Sequence, residues 1–179
     1  IACHLANVGI DVLMLDIQPK DKSIKNRNII ADDALNNAIK SKPNPLYKKE
    51  YASRITTGNF DDDFEKIKDA DWIIEVVVEN LEIKKTIFEK VEKYKSDGAF
   101  VTSNTSSIPI SLLCEGRSDS FKSLFCGTHF FNPPRYMKLL ELVRGEHTTE
   151  DTYKRMAAFG EYVLGKGIVH AKDTPNFIG

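Results

Sequence analysis

Asp71–Val78, DWIIEVVV, runs through Glu79-Asn80 into Leu81–Lys95, LEIKKTIFEKVEKYK. The first segment is a short, almost unbroken apolar run, the pattern of a strand buried in a parallel sheet. In the second, Ile83, Ile87, Val91 and Tyr94 recur at helical spacing, and Lys85/Glu89 and Glu89/Lys93 form i, i+4 pairs on the opposite face. Strand followed by helix is therefore the local rule. Working outward, Ile10–Ile17 (IDVLMLDI) reads as another strand buried on both faces, preceded by a helix that Gly9 stops. Ile29–Lys40 repeats apolar residues at helical spacing until Pro43 and Pro45 break the pattern. Short strands follow at Arg54–Gly58, Phe100–Ser103, Leu124–Phe131 and Gly167–Ala171, with a helix beginning at Ile110, a turn at Ser120–Lys122, and, after a capping box at Thr148-Thr149-Glu150-Asp151, a helix running to about Leu164. The alternation predicts a doubly wound α/β domain whose mainly parallel sheet has a mixed or antiparallel edge.

The chain has 179 residues, 28% of them charged, with a net charge of −1. That balance gives no basic footprint for nucleic acid and favours a small-molecule enzyme or a binding module. Cys3, Cys114 and Cys126 stand alone, without metal-ligand spacing, as expected of buried thiols in a reducing cytosol. No metal site is expected: Asp61, Asp62 and Asp63 are adjacent and point in different directions, so they read as the acidic start of a short helix. No apolar run reaches the length of a membrane span. The chain opens at Ile1 inside a helical pattern, and both ends look cut.

The candidate chemistry falls at strand ends. Asp16 closes the strand Ile10–Ile17, where an acidic residue in a dinucleotide fold binds the adenosine ribose hydroxyls; the alternative is a carboxylate that only starts a turn. Glu79 lies in the joint after DWIIEVVV, with Lys84 one turn into the helix. Asn104-Thr105-Ser106-Ser107 is either an ordinary Ser/Thr turn or a ligand rim. His129 and Glu141 are placed symmetrically about Arg135, so a hairpin turning there sets them opposite each other, close enough for the carboxylate to hold one ring N–H. A histidine so oriented can take a proton from an alcohol, although a lone strand histidine is more often structural.

The segments VVVENLEIKK, SNTSS, GTHFFNPPRYMKLLELV and KDTPNFIG occur in this order. Together they resemble the nicotinamide-binding, Rossmann-type domain of the 3-hydroxyacyl-CoA dehydrogenases of fatty-acid β-oxidation, over nearly the whole chain. The resemblance implies NAD as cofactor and an acyl-CoA as substrate. His129 becomes the base, Glu141 its partner and Ser106 a contact to the substrate's 3-oxygen; Asp16, Glu79, Lys84, Ser106 and Asn132 become cofactor-side residues. It further implies a first strand and glycine-rich turn ahead of Ile1, a helical dimerisation domain beyond Gly179, a homodimer and, in some members, a fused enoyl-CoA hydratase module; a cytoplasmic location is expected from the isolated cysteines and the lack of a membrane-length apolar run. The rival readings are a related dehydrogenase of free hydroxy acids and a non-catalytic protein that keeps the fold.

Overall fold

The computed structural model describes residues 1–174, 176 and 177. The chain forms two compact units: Ile1–Lys66 with Asn132–Met137, and Ile67–Phe131 with the chain from Lys138 onward.

In the first unit, β1 (Val12–Asp16) pairs in parallel with β2 (Ile55–Asn59), in register from Val12 opposite Ile55 to Asp16 opposite Asn59. Helix α1 (Ala2–Asn7) and helix α2 (Ile29–Lys40) bury an apolar cluster of Cys3, Ala6, Leu46 and Ile55, against which Val12, Met14, Leu35 and Ile39 pack. Gly9 ends the α1 segment at φ +90°, a conformation L residues rarely adopt. Every residue of β1 is half-buried, where burial on both faces was expected. Among the described residues β1 pairs with β2 alone, so one of its edges carries no ladder. The aspartates behave as their position suggests: Asp63 accepts the Asn59 N–H at 2.9 Å just ahead of a 3₁₀ turn over Phe64–Asp69, and Asp62 pairs with Arg27 at 2.9 Å. The segment 132–137 is clamped here because Arg135 donates to the carbonyls of Asn44 (2.5 Å) and Leu46 (2.8 Å), with its guanidinium over the Tyr47 ring at 4.6 Å.

The second unit is built on a five-stranded sheet of order β3-β4-β5-β6-β7. Strands β3 (Trp72–Glu75), β4 (Phe100–Ser103) and β5 (Phe125–Phe130) are parallel. Strand β6 (Leu139–Arg144) runs antiparallel to β5, and β7 (Gly167–Ala171) is parallel to β6. The expected mainly parallel sheet with an antiparallel element is thus found. Phe88, from α3 (Leu81–Tyr94), and Phe121, from α5 (Asp119–Ser123), pack on Phe125 at ring separations of 5.0 and 5.4 Å. Helix α4 (Ile110–Leu113) takes its first N–H caps from Asp173, which accepts from Ile110 and Ser111 at 2.6 and 2.9 Å. Thr149 caps α6 (Glu150–Ala158), and a single π turn continues it through Val163.

Three sequence expectations need correction. Strand β3 ends at Glu75, not at Val78; Val76 and Val78 are exposed. Ser120–Lys122 is helical, because the Ser118 hydroxyl accepts the Phe121 N–H and caps α5. The buried stripe of α3 is Lys84, Phe88 and Val91, whereas Ile83 is 45% exposed. A lysine replaces an isoleucine on the inward face because carboxylates await it there. Among the described residues no helix is long and apolar enough to cross a membrane.

Gly127 sits two residues before His129 on β5, and a Cβ there would meet Val143 Cβ at 2.9 Å and Ile110 Cδ1 at 2.8 Å. Gly127→Ala is expected to cost about 1–3 kcal/mol of stability through overpacking, read as a lower urea midpoint at an unchanged slope.

Candidate active site

Strand alternation sends Cys126, Thr128 and Phe130 to one face of β5 and Gly127 and His129 to the other. The β5–β6 register sets His129 directly opposite Glu141, as symmetry about Arg135 required. Their side chains meet: His129 Nδ1 lies 2.5 Å from Glu141 Oε2, with Glu141 buried and the His129 side chain 18% exposed. A carboxylate can only accept, so Nδ1 carries the hydrogen and the neutral ring presents its lone pair at Nε2. That nitrogen faces Ser106 Oγ at 3.1 Å, and the serine hydroxyl donates to it. The rings of Phe131 and Phe177 flank the imidazole, with centroids 4.9 and 6.0 Å away.

Ser106 is held from behind by Glu79. One carboxylate oxygen, Oε1, accepts from the Thr105 hydroxyl (2.5 Å), the Ser106 and Ser107 backbone N–H groups (3.0 Å each) and the Ser107 hydroxyl (3.1 Å). Its other oxygen pairs with Lys84 at 3.3 Å. Burial pushes the Glu79 carboxyl up, but the Thr105 hydroxyl, the loop N–H groups and the Lys84 ammonium outweigh it and hold the group at about 2. The Ser/Thr loop is therefore a built structure around a carboxylate, not an ordinary turn.

Lys84 is only 1% exposed. Its ammonium also donates to both oxygens of Glu75, at 2.7 and 3.0 Å, and to the Val77 carbonyl at 3.2 Å. Glu75, missed in the sequence reading, accepts in addition from the Ser103 hydroxyl (2.5 Å) and the Val77 N–H (2.6 Å). Asn104, the first residue of the Ser/Thr loop, accepts the Phe130 N–H through its side chain at 2.9 Å and so ties the loop to β5 beside His129. One signal could have exposed Glu75: a lone carboxylate inside an apolar strand must find a partner, and Lys84 follows within ten residues.

Glu141, His129, Ser106, Glu79 and Lys84 thus form one connected chain of bonds in the second unit. Asp16 and Asn132 belong to the first unit. Asp16 is the last residue of β1, half-buried, its Oδ1 accepting the Ile17 N–H at 2.7 Å. Asn132 is exposed at the start of the segment that Arg135 clamps.

The family described as "3-hydroxyacyl-CoA dehydrogenase, NAD binding domain" matches residues 1–174. The chain belongs to the 3-hydroxyacyl-CoA dehydrogenase family. A Bacillus subtilis protein named a probable 3-hydroxyacyl-CoA dehydrogenase is 53% identical over 99% of this chain, which spans 24% of that relative. A Rickettsia felis relative whose name refers to a fatty acid oxidation complex trifunctional enzyme is 43% identical over 99% of this chain and 24% of its own length. Among solved structures, (S)-3-hydroxybutyryl-CoA dehydrogenase PaaH1 from Ralstonia eutropha superposes with a TM-score of 0.75 at 30% identity, covering 99% of this chain and 60% of that one. The chain therefore spans about a quarter of the length of both curated relatives.

NAD is the cofactor of this domain family, and the residues present fit it. Asp16 offers a carboxylate at the carboxyl end of a parallel strand, the acceptor that ribose hydroxyls require. Among the described residues no group of three or more His, Cys, Asp or Glu is arranged to hold a metal ion.

The loop around Glu79 yields an acid-stability prediction. Because its folded-state pKa is depressed from 4.5 to about 2, the carboxylate contributes stability above about 4.5 that is lost as the pH falls through about 2. Glu79→Gln should therefore lower the thermal midpoint at pH 6, and its deficit relative to wild type should shrink steadily toward pH 2. A deficit independent of pH would contradict this assignment.

Proposed function

We propose that the complete protein interconverts (S)-3-hydroxyacyl-CoA and 3-ketoacyl-CoA with NAD, in the cytoplasm, as a step of fatty-acid β-oxidation. The observation that carries this reading is the linear array Glu141–His129–Ser106, with 2.5 Å and 3.1 Å contacts on the two ring nitrogens. Glu141 fixes the tautomer, so Nε2 is the basic atom, and it opens toward a hydroxyl already placed at hydrogen-bonding distance. In the oxidative direction His129 Nε2 takes the proton from the C3 hydroxyl, and the Glu141 carboxylate stabilises the imidazolium that results. Ser106 donates a hydrogen bond to the same oxygen as it becomes a carbonyl. In the reductive direction the imidazolium returns the proton.

NAD, when bound, supplies the acceptor for the C3 hydride. Asp16 is the residue proposed to hold its adenosine ribose, Ser106 the one proposed near the nicotinamide, and Asn132 and Glu79 are further proposed cofactor residues. Lys84 contributes through Glu79, since its ammonium is enclosed by carboxylates and a carbonyl. Asp16 also favours NAD over NADP, whose extra phosphate it would repel. The trifunctional name of the Rickettsia felis relative supports a complete polypeptide that joins this domain to others; that an enoyl-CoA hydratase module is among them is part of the proposal. A helical domain that forms a homodimer belongs to the same proposal.

His129→Gln in the full-length protein is expected to lower turnover of acetoacetyl-CoA by about 100-fold to 10,000-fold with little change in the NADH dissociation constant, as loss of a general base requires. Near-normal turnover would sink the assignment. Asp16→Ala should weaken NADH binding and narrow the preference over NADPH; comparison of the two dissociation constants by fluorescence titration checks this, and an unchanged ratio counts against the ribose role.

A further inference from the structure

Glu75 hydrogen-bonds to neither His129 nor Ser106, yet two separate chains of contacts lead from it to that serine. The first runs through the ammonium of Lys84, which Glu75 holds with both oxygens, to Glu79, and from Glu79 to the Ser106 N–H. The second runs through the Ser103 hydroxyl, which donates to Glu75 Oε2 and accepts the Thr105 N–H at 3.2 Å. Glu75 also fixes the approach of the 76–79 segment, because its Oε1 takes the Val77 N–H and its carbonyl takes the Asn104 N–H at 2.9 Å. All these partners but Glu79 and the loop tip are buried or partly so, and the Glu75 side chain itself is 1% exposed.

Such an arrangement exceeds what neutralising a lysine needs. Glu79 alone would neutralise Lys84, and an apolar side chain at either position would be cheaper in desolvation. What Glu75 adds is position: it sets where the ammonium sits, and the ammonium sets where Glu79 can hold the loop. We propose that Glu75 is a positioning residue of the dehydrogenase, fixing the Ser106 hydroxyl against His129 Nε2 from the carboxyl end of β3. The proposal rests on the reading of Ser106 and His129 given above, and its test separates the two.

The experiment is a double-mutant cycle in the full-length protein, with acetoacetyl-CoA and NADH as substrates. Glu75→Gln keeps the shape and removes the charge. It is expected to lower kcat by roughly 10-fold to 100-fold, the effect of a small misplacement near reacting atoms, with a much smaller change in the NADH dissociation constant. In a Ser106→Ala background the same substitution should have almost no further effect on kcat, because the group it positions is gone. Equal losses in both backgrounds would overturn the proposal and leave Glu75 a purely structural charge. Wild-type kcat in Glu75→Gln would overturn it too.

Since a buried lysine that loses a partner can unfold the domain, Ser103→Ala provides a second arm. It cuts one chain of contacts and leaves the ion pair intact, and its smaller kcat loss should likewise vanish in the Ser106→Ala background. A loss that persists there overturns the proposal. Ser106→Ala on its own tests the underlying reading: wild-type turnover in that variant would remove the catalytic role of Ser106, whatever Glu75 does.

Discussion

A single ammonium enclosed at the end of β3 organises the candidate site. Taking Lys84 out of water costs several kcal/mol, and that cost is tolerable only where acceptors surround the charge. Four do: both oxygens of Glu75, one of Glu79, and the Val77 carbonyl. Two carboxylates share one cation, so a formal negative charge remains. The hydroxyls of Ser103 and Thr105 and the N–H groups of residues 77, 106 and 107 absorb it as hydrogen-bond donors. The polar strand end is thereby converted into a rigid floor for the serine loop. An exposed lysine one residue away could not do this, which is why α3 rotates Lys84 inward and leaves Ile83 at the surface.

The antiparallel pairing of β5 and β6 serves a different constraint. A parallel strand reached by a crossover needs a dozen or more connecting residues, usually with a helix, before it can lie beside its neighbour. Turning back directly places Glu141 against His129 within twelve residues, at the one register that also sends Cys126, Thr128 and Phe130 to the other face. A slip of one residue would carry Glu141 to the wrong side of the sheet. The His129–Glu141 pair and the core of the second unit are therefore fixed by the same ladder, and Gly127, with almost no space above its Cα, belongs to both.

What could be read from the sequence was what depends on short-range pattern. The strand and helix alternation, the pairing of His129 with Glu141 and a cap ahead of α6 within Thr148-Thr149-Glu150-Asp151 all follow from spacing and local chemistry. The serine loop was left open between turn and ligand rim, because the residue that shapes it, Glu79, lies 27 positions away from Ser106. The buried stripe of α3 was drawn through Ile83 and not through Lys84, since periodicity scores a lysine as polar and cannot see a carboxylate arriving from the neighbouring strand. Glu75 was absorbed into an apolar run for the same reason. Strand β3 was drawn too long because three valines in a row signal a strand, whereas the Glu75 carboxylate captures the Val77 N–H and ends the ladder there. These errors share a cause: a buried ion pair inverts the hydrophobic pattern at both of its partners.

The proposed reaction asks more of Ser106 than a fixed contact. Its hydroxyl has one hydrogen, which here goes to His129 Nε2. On the dehydrogenase reading a substrate hydroxyl must take over that nitrogen, and the serine must then turn its hydrogen toward the substrate oxygen. With the Ser106 backbone pinned through its own N–H by Glu79, this exchange needs only a rotation about χ1 or of the hydroxyl hydrogen, and no loop movement. The 3.1 Å contact is then a resting bond that keeps the basic nitrogen and its future partner aligned. Preorganisation of this kind costs nothing at the moment of reaction, because the loop's ordering is supplied in advance by the folding of the carboxylate–ammonium floor beneath it.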